Sequence, residues 1–228
     1  MSAKGIHINI VVEGQTEETF VRQVLADDLG SQSIFITSRS VQTGAKHGKI
    51  YRGGLGRGNV YDKLKRDVKK WLSQHQSAFV TTMIDLYALP KNFPGFDDAQ
   101  KILDPYEKVR ALENEFAADI NNLRFIPYIQ LHEFEGLLFS DVQVVDQVLA
   151  LQSVSQLPSL KDIRANFPSP EQVDDGENTA PSKRLVKLFP GYDKTAFGPL
   201  IAERIGLEII RRECSHFNEW LTKLETLE

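Results

Sequence analysis

The sequence is poor in sulfur, with one cysteine, Cys214, and two methionines in 228 residues. A lone cysteine excludes an internal disulfide and any zinc cage built from cysteines. No apolar run approaches the roughly 18 residues that a membrane span requires. The opening residues MSAKG lack the apolar stretch of a secretory signal. These absences make a cytoplasmic location the expectation. No internal repeat or low-complexity tract is present either. Nor does the chain have the overall positive charge of a general nucleic-acid binder, because 27 Lys and Arg face 31 Asp and Glu for a net charge of −4.

What charge there is lies unevenly. Residues 46–70 hold Lys46, Lys49, Arg52, Arg57, Lys63, Lys65, Arg66, Lys69 and Lys70 against only Asp62 and Asp67, a local balance of +7 that leaves −11 for the remainder. Such asymmetry points to an anionic partner that touches one face only.

At this length the chain can bury a core of its own. The run INIVV within residues 6–12 is apolar except at Asn9, too uniformly so for an edge exposed to water. Thr16 is placed to cap the following helix, with Glu17 and Glu18 in the first turn where the helix dipole favours them. A more polar strand is expected over residues 33–41. Six glycines between residues 43 and 59 predict an irregular, turn-rich segment. Val60, Leu64, Val68, Trp71 and Leu72 then mark one stripe of a helix over 60–74. A strand over 78–84 ends at Asp85. Asp104 should cap a helix that has Pro105 at its first position and Glu107 at the capping-box position. Residues 125–131 read as a strand despite Pro127, which suggests an edge or a bulge.

Strands alternating with helices of this length imply parallel pairing through right-handed crossovers. The expected architecture is a doubly wound, mostly parallel α/β sheet with helices on both faces over residues 1–140. A helical extension over 141–228 packs on it.

In such sheets ligands bind beyond the carboxyl ends of the strands. Three apolar strands here end in an acid: Glu13, Asp85, and Glu133 or Glu135 in HEFE. Crowded carboxylates repel and lose hydration, so a compensating cation is expected. Oxygen ligands point to Mg²⁺ or Mn²⁺. His132 stands beside them as a proton carrier or phosphate donor. The glycine-rich basic loop suits phosphate through Lys46, Lys49, Arg52 and Arg57, with Lys65, Lys183 and Lys194 as further candidates. It does not match a Walker A loop. Cys214 and His216 read as a helix junction and not as a site.

V-E-G-x-T-E-E at residues 12–18, M-I-D-L-Y-A-L-P at 83–90, H-E-F-E-G-L-L-F-S-D at 132–141 and Y-D-K-T-A-F-G-P-L-I-A at 192–202 carry a family resemblance. The chain resembles a Toprim-like family of prokaryotic proteins, related in fold to overcoming-lysogenization-defect nucleases. That resemblance implies a Mg²⁺-dependent phosphodiester site in which Glu13 matches the Toprim glutamate and Asp85 the first D-x-D aspartate. It also implies an ATPase partner and a role in phage defence. One position departs: Tyr87 stands where the second D-x-D acid would be, and Glu133 or Glu135 is left to compensate.

Three functions stay open on these grounds. The first is a metal-dependent nuclease or phosphodiesterase, with Glu13, Asp85 and one of Glu133 or Glu135 as ligands and Glu13 alternatively as general acid–base. The second is a catalytically degenerate subunit or sensor for an ATPase, and the third a small-nucleotide binder. A homo-oligomer is compatible with each.

Overall fold

The computed structural model describes residues 5–46, 49–52, 60–174, 176 and 179–228. For residues 42–46 and 49–52, and for Ala88, it describes the backbone alone.

Strand β1 (Ile6–Val12) lies inside a parallel sheet, flanked by β2 (Ile34–Ser40) and β5 (Phe79–Asp85). The sheet order is β2-β1-β5-β6, where β6 is Phe125–Ile126, and β7 (Ile129–Gln130) also pairs with β5. Every pairing in this sheet is parallel. Side chains alternate across β1: Ile8, Ile10 and Val12 enter one apolar cluster and Val11 enters the other. That two-sided burial is why Ile10, Val11 and Val12 are apolar in succession, with Asn9 the one buried polar residue of the strand. Edge strand β2 shows the opposite pattern, with Phe35 half exposed.

The glycine-rich region holds more order than its composition suggests. Strands β3 (Gln42–Lys46) and β4 (Lys49–Arg52) form a separate antiparallel pair, with a register shift between Gln42 and Gly44. Backbone pairing overrides glycine's conformational freedom there. Residues 53–59, including Arg57, lie outside the described residues.

Eleven α-helices complete the described chain. On one face sit α3 (Val60–Gln74), α4 (Phe96–Ala99) and α5 (Pro105–Ile120). The α3 stripe Val60, Leu64, Val68, Trp71 and Leu72 is buried as its spacing requires. Asp104 accepts from the Glu107 N–H at 2.8 Å at the start of α5, while α5 ends on Asn121 at φ +52°. The other face is covered by α1 (Gln15–Phe20) and α2 (Ala26–Gly30), which are joined by a π-helical turn over Val21–Leu25. Beside them pack α6 (Val142–Leu149), α7 (Leu157–Ala165), α8 (Pro181–Leu188), α9 (Lys194–Ile205), α10 (Leu207–Glu213) and α11 (Ser215–Glu225). Val145, Leu160, Leu185, Ile201 and Leu221 from these later helices share one apolar cluster with Ile10 and Phe20.

Two local departures from the sequence reading have physical causes. The cap of α1 is Gly14, whose N–H donates to Glu17 Oε2 at 2.8 Å, while Thr16 lies buried inside the first turn. The strand expected over 125–131 is interrupted at Pro127, which has no N–H to give. The Thr82 hydroxyl fills the gap, accepting from Tyr128 N and donating to Tyr128 O, both at 2.9 Å.

Candidate functional site

Parallel register brings the first two acids to one edge. Val12 is aligned with Met83, and the Glu13 N–H continues the ladder by donating to Met83 O at 3.1 Å. Glu13 and Asp85 therefore leave adjacent strands at their carboxyl ends. The Asp85 N–H then donates to Glu13 Oε2 at 3.2 Å, and Asp85 Oδ1 accepts from Phe134 N at 3.1 Å. That second bond ties β5 to the HEFE segment.

The segment enters through His132, which takes φ +59°, and continues as a 3₁₀ helix over Phe134–Ser140. A non-glycine residue in the left-handed region is held there at a cost of order 1 kcal/mol. The turn lets Phe134 and Leu137 enter the core while Glu135 is drawn inside with them, fully buried. Glu133 points elsewhere: its Oε2 accepts from Ser182 N at 3.0 Å, at the first turn of α8. His132 Nδ1 meets Asp174 Oδ2 at 3.1 Å. Burial alone would raise the Asp174 carboxyl, but His132 and the Gly176 N–H hold it below the usual range.

Helix α9 supplies the positive charge. Asp193 caps it by accepting from Thr195 N at 2.8 Å and Ala196 N at 3.3 Å, which leaves Lys194 as the first helical residue. The close seating of α9 depends on Gly198, since a Cβ there would stand 3.2 Å from both the Phe134 ring and the Thr16 methyl. Tyr192 adds its hydroxyl, 3.5 Å from Glu135 Oε1.

The electrostatics follow from burial of like charges. Burial pushes the Asp85 carboxyl well above the ordinary range, and Glu13, Glu17 and Glu135 push it further, with Lys194 opposing. Glu135 is pushed up to about 7, by burial first, with Lys194 pulling it down and Glu133 and Glu17 adding to the rise. Glu17 is raised by burial against the pull of backbone N–H groups and Lys194. For Lys194 burial works downward, yet the carboxylates of Glu135, Glu17, Asp85 and Glu13 hold its ammonium above the usual lysine value. Four acids thus share one field, with a lysine as their counter-charge.

Of the sequence-derived candidates, Glu13, Asp85 and Glu135 act on one another, whereas Glu133 is turned to α8 and His132 to Asp174. Lys194 belongs to the acidic cluster. Lys65, on α3, is ion-paired with Asp119 at 2.8 Å, and Asp119 also receives the Tyr61 hydroxyl. Lys183 stands with its ammonium 6.0 Å from the centre of the Tyr87 ring. The side chains of Lys46, Lys49 and Arg52, and the whole of Arg57, lie outside what is described. Sequence reasoning missed Glu17, which looked like an ordinary dipole-favoured acid. Its four-residue spacing from Glu13, across the two-residue turn between β1 and α1, was the available signal.

Chemically the cluster offers carboxylate oxygens with no thiol nearby, the donor set of a hard divalent cation. Glu135 Oε2 is buried without a hydrogen-bond partner, which fits an oxygen kept for such a ligand. Among the described residues no three His, Cys, Asp or Glu side chains are already drawn together as a metal cage. Glu13, Glu17 and Glu133 each accept from a backbone N–H instead.

Two solved structures of the C-terminal region of the Xanthomonas campestris pv. campestris OLD protein are similar in outline. The one phased with platinum has 17% identity and a TM-score of 0.44, covering 96% of this chain and 95% of that one. The one phased with iodine has 15% identity and a TM-score of 0.42, covering 95% and 96%. No curated protein matches the chain. A domain family model does match, over residues 12–225, and so spans both strand-end acids, the HEFE segment and α9 together; the chain belongs to that family, the domain of unknown function DUF4276.

Proposed function

We propose that this protein is a Toprim-like, Mg²⁺- or Mn²⁺-dependent phosphodiester hydrolase acting on nucleic acid. The observation that carries the reading is the placement of Glu13 and Asp85 on neighbouring parallel strands, joined by a 3.2 Å bond, with Glu17 and buried Glu135 in the same field. Proteins do not gather four mutually repelling acids at one edge for stability's sake. Glu13, Asp85, Glu135 and Glu17 would hold the cation, and the bound ion would orient the scissile phosphate and neutralise its charge. Lys194 sets a second positive charge at the same edge, where it can bind a phosphate oxygen. His132, whose Nδ1–H is held by Asp174, leaves Nε2 as the nitrogen open to accept a proton. Lys183, Arg184 and Lys187 on α8 form the side along which a phosphate backbone would run. The ATPase partner and the defence role implied by the sequence resemblance belong to the same proposal.

A second reading keeps the fold without the chemistry: a degenerate subunit serving an ATPase. The observation favouring it is Tyr87, which stands half exposed where a second acid would complete the D-x-D pair, so one ligand oxygen is missing. The small-nucleotide reading draws less support. A polar cleft of about 380 Å³ lies between α1 and β2, within the size range of ligand pockets. Its lining of Gln15, Glu18, Thr19, Arg22 and Ser40 contains none of the clustered acids.

The deciding experiment incubates the protein with plasmid and with tRNA in Mg²⁺, in Mn²⁺ and in chelator. Metal-dependent cleavage that Glu13→Gln and Asp85→Asn both lose supports the hydrolase. Failure to cleave either substrate with either metal, in protein whose melting temperature also ignores metal, overturns it in favour of the degenerate subunit.

A further inference from the structure

Tyr87 is unusual among the large apolar residues left at the surface. Among the described residues the exposed aromatic side chains are Phe35, at 52%, and Tyr87, at 49%. Phe35 lies at the far end of β2 and packs against the His7 ring, with centroids 5.3 Å apart. Tyr87 instead stands two residues beyond Asp85, so that the chain between them reaches at most about 7 Å.

The ring is presented on a fixed mount. Leu86–Ala88 forms a 3₁₀ turn closed by the Leu89 N–H on Leu86 O at 3.3 Å. The Tyr87 N–H donates to His132 O at 3.1 Å, tying the turn to the segment that carries Glu135. Below it Leu89 and Phe93 are buried in the core. A solvent-facing tyrosine on a turn anchored at both ends has lost backbone freedom without burying its ring, an arrangement that prepares a flat apolar surface for a ligand. Beside the ring stands Lys183, whose ammonium is 6.0 Å from the centroid, at the outer reach of a cation–π contact. Lys183 follows Ser182, whose N–H donates to Glu133 Oε2 at 3.0 Å, so the backbone that carries this charge is tied to the segment of Glu135.

An aromatic face with a lysine at its edge, one short chain step from a carboxylate cluster, matches the two chemistries of a nucleotide: a base to stack and a phosphate to neutralise. We infer that Tyr87 is a stacking residue for an unpaired base, and that the substrate enters as a single strand, with the base next to the scissile phosphodiester lying on the Tyr87 ring. A base inside a duplex offers no free face for such a stack, so paired substrate would be disfavoured at this position. The inference rests on the phosphodiesterase reading for its substrate, and it turns the residue that breaks the acid pair into one that selects the strand.

The test uses the full chain and a single-stranded oligonucleotide carrying one 2-aminopurine, in DNA and RNA forms, beside the same sequence as a blunt duplex. Binding is read by anisotropy in chelator and stacking by quenching of the 2-aminopurine; cleavage is then read with Mn²⁺. The expected result is tighter binding of the single strand and quenching that Tyr87→Trp retains. Tyr87→Ala should lose the quench and bind roughly 5- to 150-fold more weakly, the range that one base–aromatic stack represents. Equal affinity of wild type and Tyr87→Ala, or a preference for the duplex, overturns the inference whether or not cleavage occurs. Absence of cleavage with the stacking result intact overturns the hydrolase reading alone. Melting curves of both variants, expected to match wild type because the ring is solvent-exposed, guard against misfolding, and Tyr87→Trp repeats the test if Tyr87→Ala is unstable.

Discussion

The Asp85 N–H donates to Glu13 Oε2 at 3.2 Å, while Asp85 Oδ1 accepts from Phe134 N at 3.1 Å. The two acids are therefore joined through the Asp85 backbone, at an edge where burial and the neighbouring carboxylates raise the Asp85 carboxyl well above its ordinary range. Their separation along the chain is bridged by β1 and β5 lying side by side in parallel. A cation at this edge would be gripped by groups that the sheet itself has aligned.

That relationship makes Asp85→Asn informative. The amide retains an acceptor for Phe134 N and removes one charge from a crowded field. Without metal the melting temperature should stay level or rise, because repulsion from Glu13, Glu17 and Glu135 is relieved. Metal-dependent cleavage and any metal-induced rise in melting temperature should vanish. Loss of stability of about 1–3 kcal/mol in the metal-free variant would instead mark Asp85 as a structural hydrogen-bonding group.

Glu135 predicts a pH signature. Its carboxyl is held at about 7 in the fold, against an ordinary value of 4.5. The folded state then binds more protons than the unfolded state between those values, so stability falls as pH rises through that window. One such group accounts for at most roughly 3 kcal/mol between pH 5 and 8. Unfolding in chelator should become easier across that range, and Mg²⁺ should restore stability at pH 8 more than at pH 5. A metal-free profile without a fall between pH 5 and 8 contradicts the buried-acid geometry.

Lys194 carries the complementary expectation. Replacing it by Met keeps much of its apolar stem and deletes the charge that opposes Glu135, Glu17, Asp85 and Glu13. Metal-free Lys194→Met should melt several degrees below wild type at pH 8 and close to it at pH 5, where protonation of the acids lowers the need for a counter-charge. Equal behaviour at the two pH values would mean that the lysine plays no electrostatic part in the cluster.

The sheet and the two strand-end acids were legible because apolar runs such as INIVV and VTTMI have few other uses, and because parallel strands end together. The helix over 60–74 was legible from its stripe for the same reason. Glu17 was not, nor was the role of Lys194 as counter-charge to the acids, since both depend on how α1 and α9 seat against each other, a contact between residues 177 positions apart that turns on Gly198 having no side chain. The β3–β4 pair was hidden by glycines, whose local preferences give no sign of the partner strand. Pro127 was read as a sign of an edge or a bulge, but nothing local announced that Thr82 would bridge the break there.

Thr82 provides a test of the fold away from the chemistry. Its buried hydroxyl serves both backbone groups of Tyr128 at 2.9 Å. Thr82→Val keeps the shape and leaves an N–H and a C=O unsatisfied in the core, which should cost about 1–3 kcal/mol. For a chain of this size that is a fall in melting temperature of roughly 2–12 °C. A change below 1 °C would mean that Tyr128 finds other partners.

The buried pair of Glu113 and His216 links α5, β7 and α11, and it yields the last expectation. Glu113 Oε1 accepts from Ile129 N at 2.8 Å and lies 3.0 Å from His216 Nε2, with both side chains nearly inaccessible. Burial alone would lower the His216 value, but the hydrogen bond and charge of Glu113, joined by the charges of Glu171 and Glu219, raise it above 6.5. A histidine raised in the fold contributes stability that is fully present below its unfolded value, near 6.5, and is lost as pH climbs through the folded one. Glu113→Gln preserves an acceptor for Ile129 N and removes the charge, so it should destabilise at pH 6 and do so less at pH 9. Glu113→Ala also orphans the Ile129 N–H, and should cost about 3–5 kcal/mol at pH 6, where it strands a buried imidazolium as well. Urea unfolding of wild type and both variants at pH 6 and pH 9, all in chelator, separates this effect from that of Glu135, whose contribution is common to the three proteins. If Glu113→Gln loses the same stability at both pH values, the pair is a neutral hydrogen bond, and His216 contributes no charge to the fold.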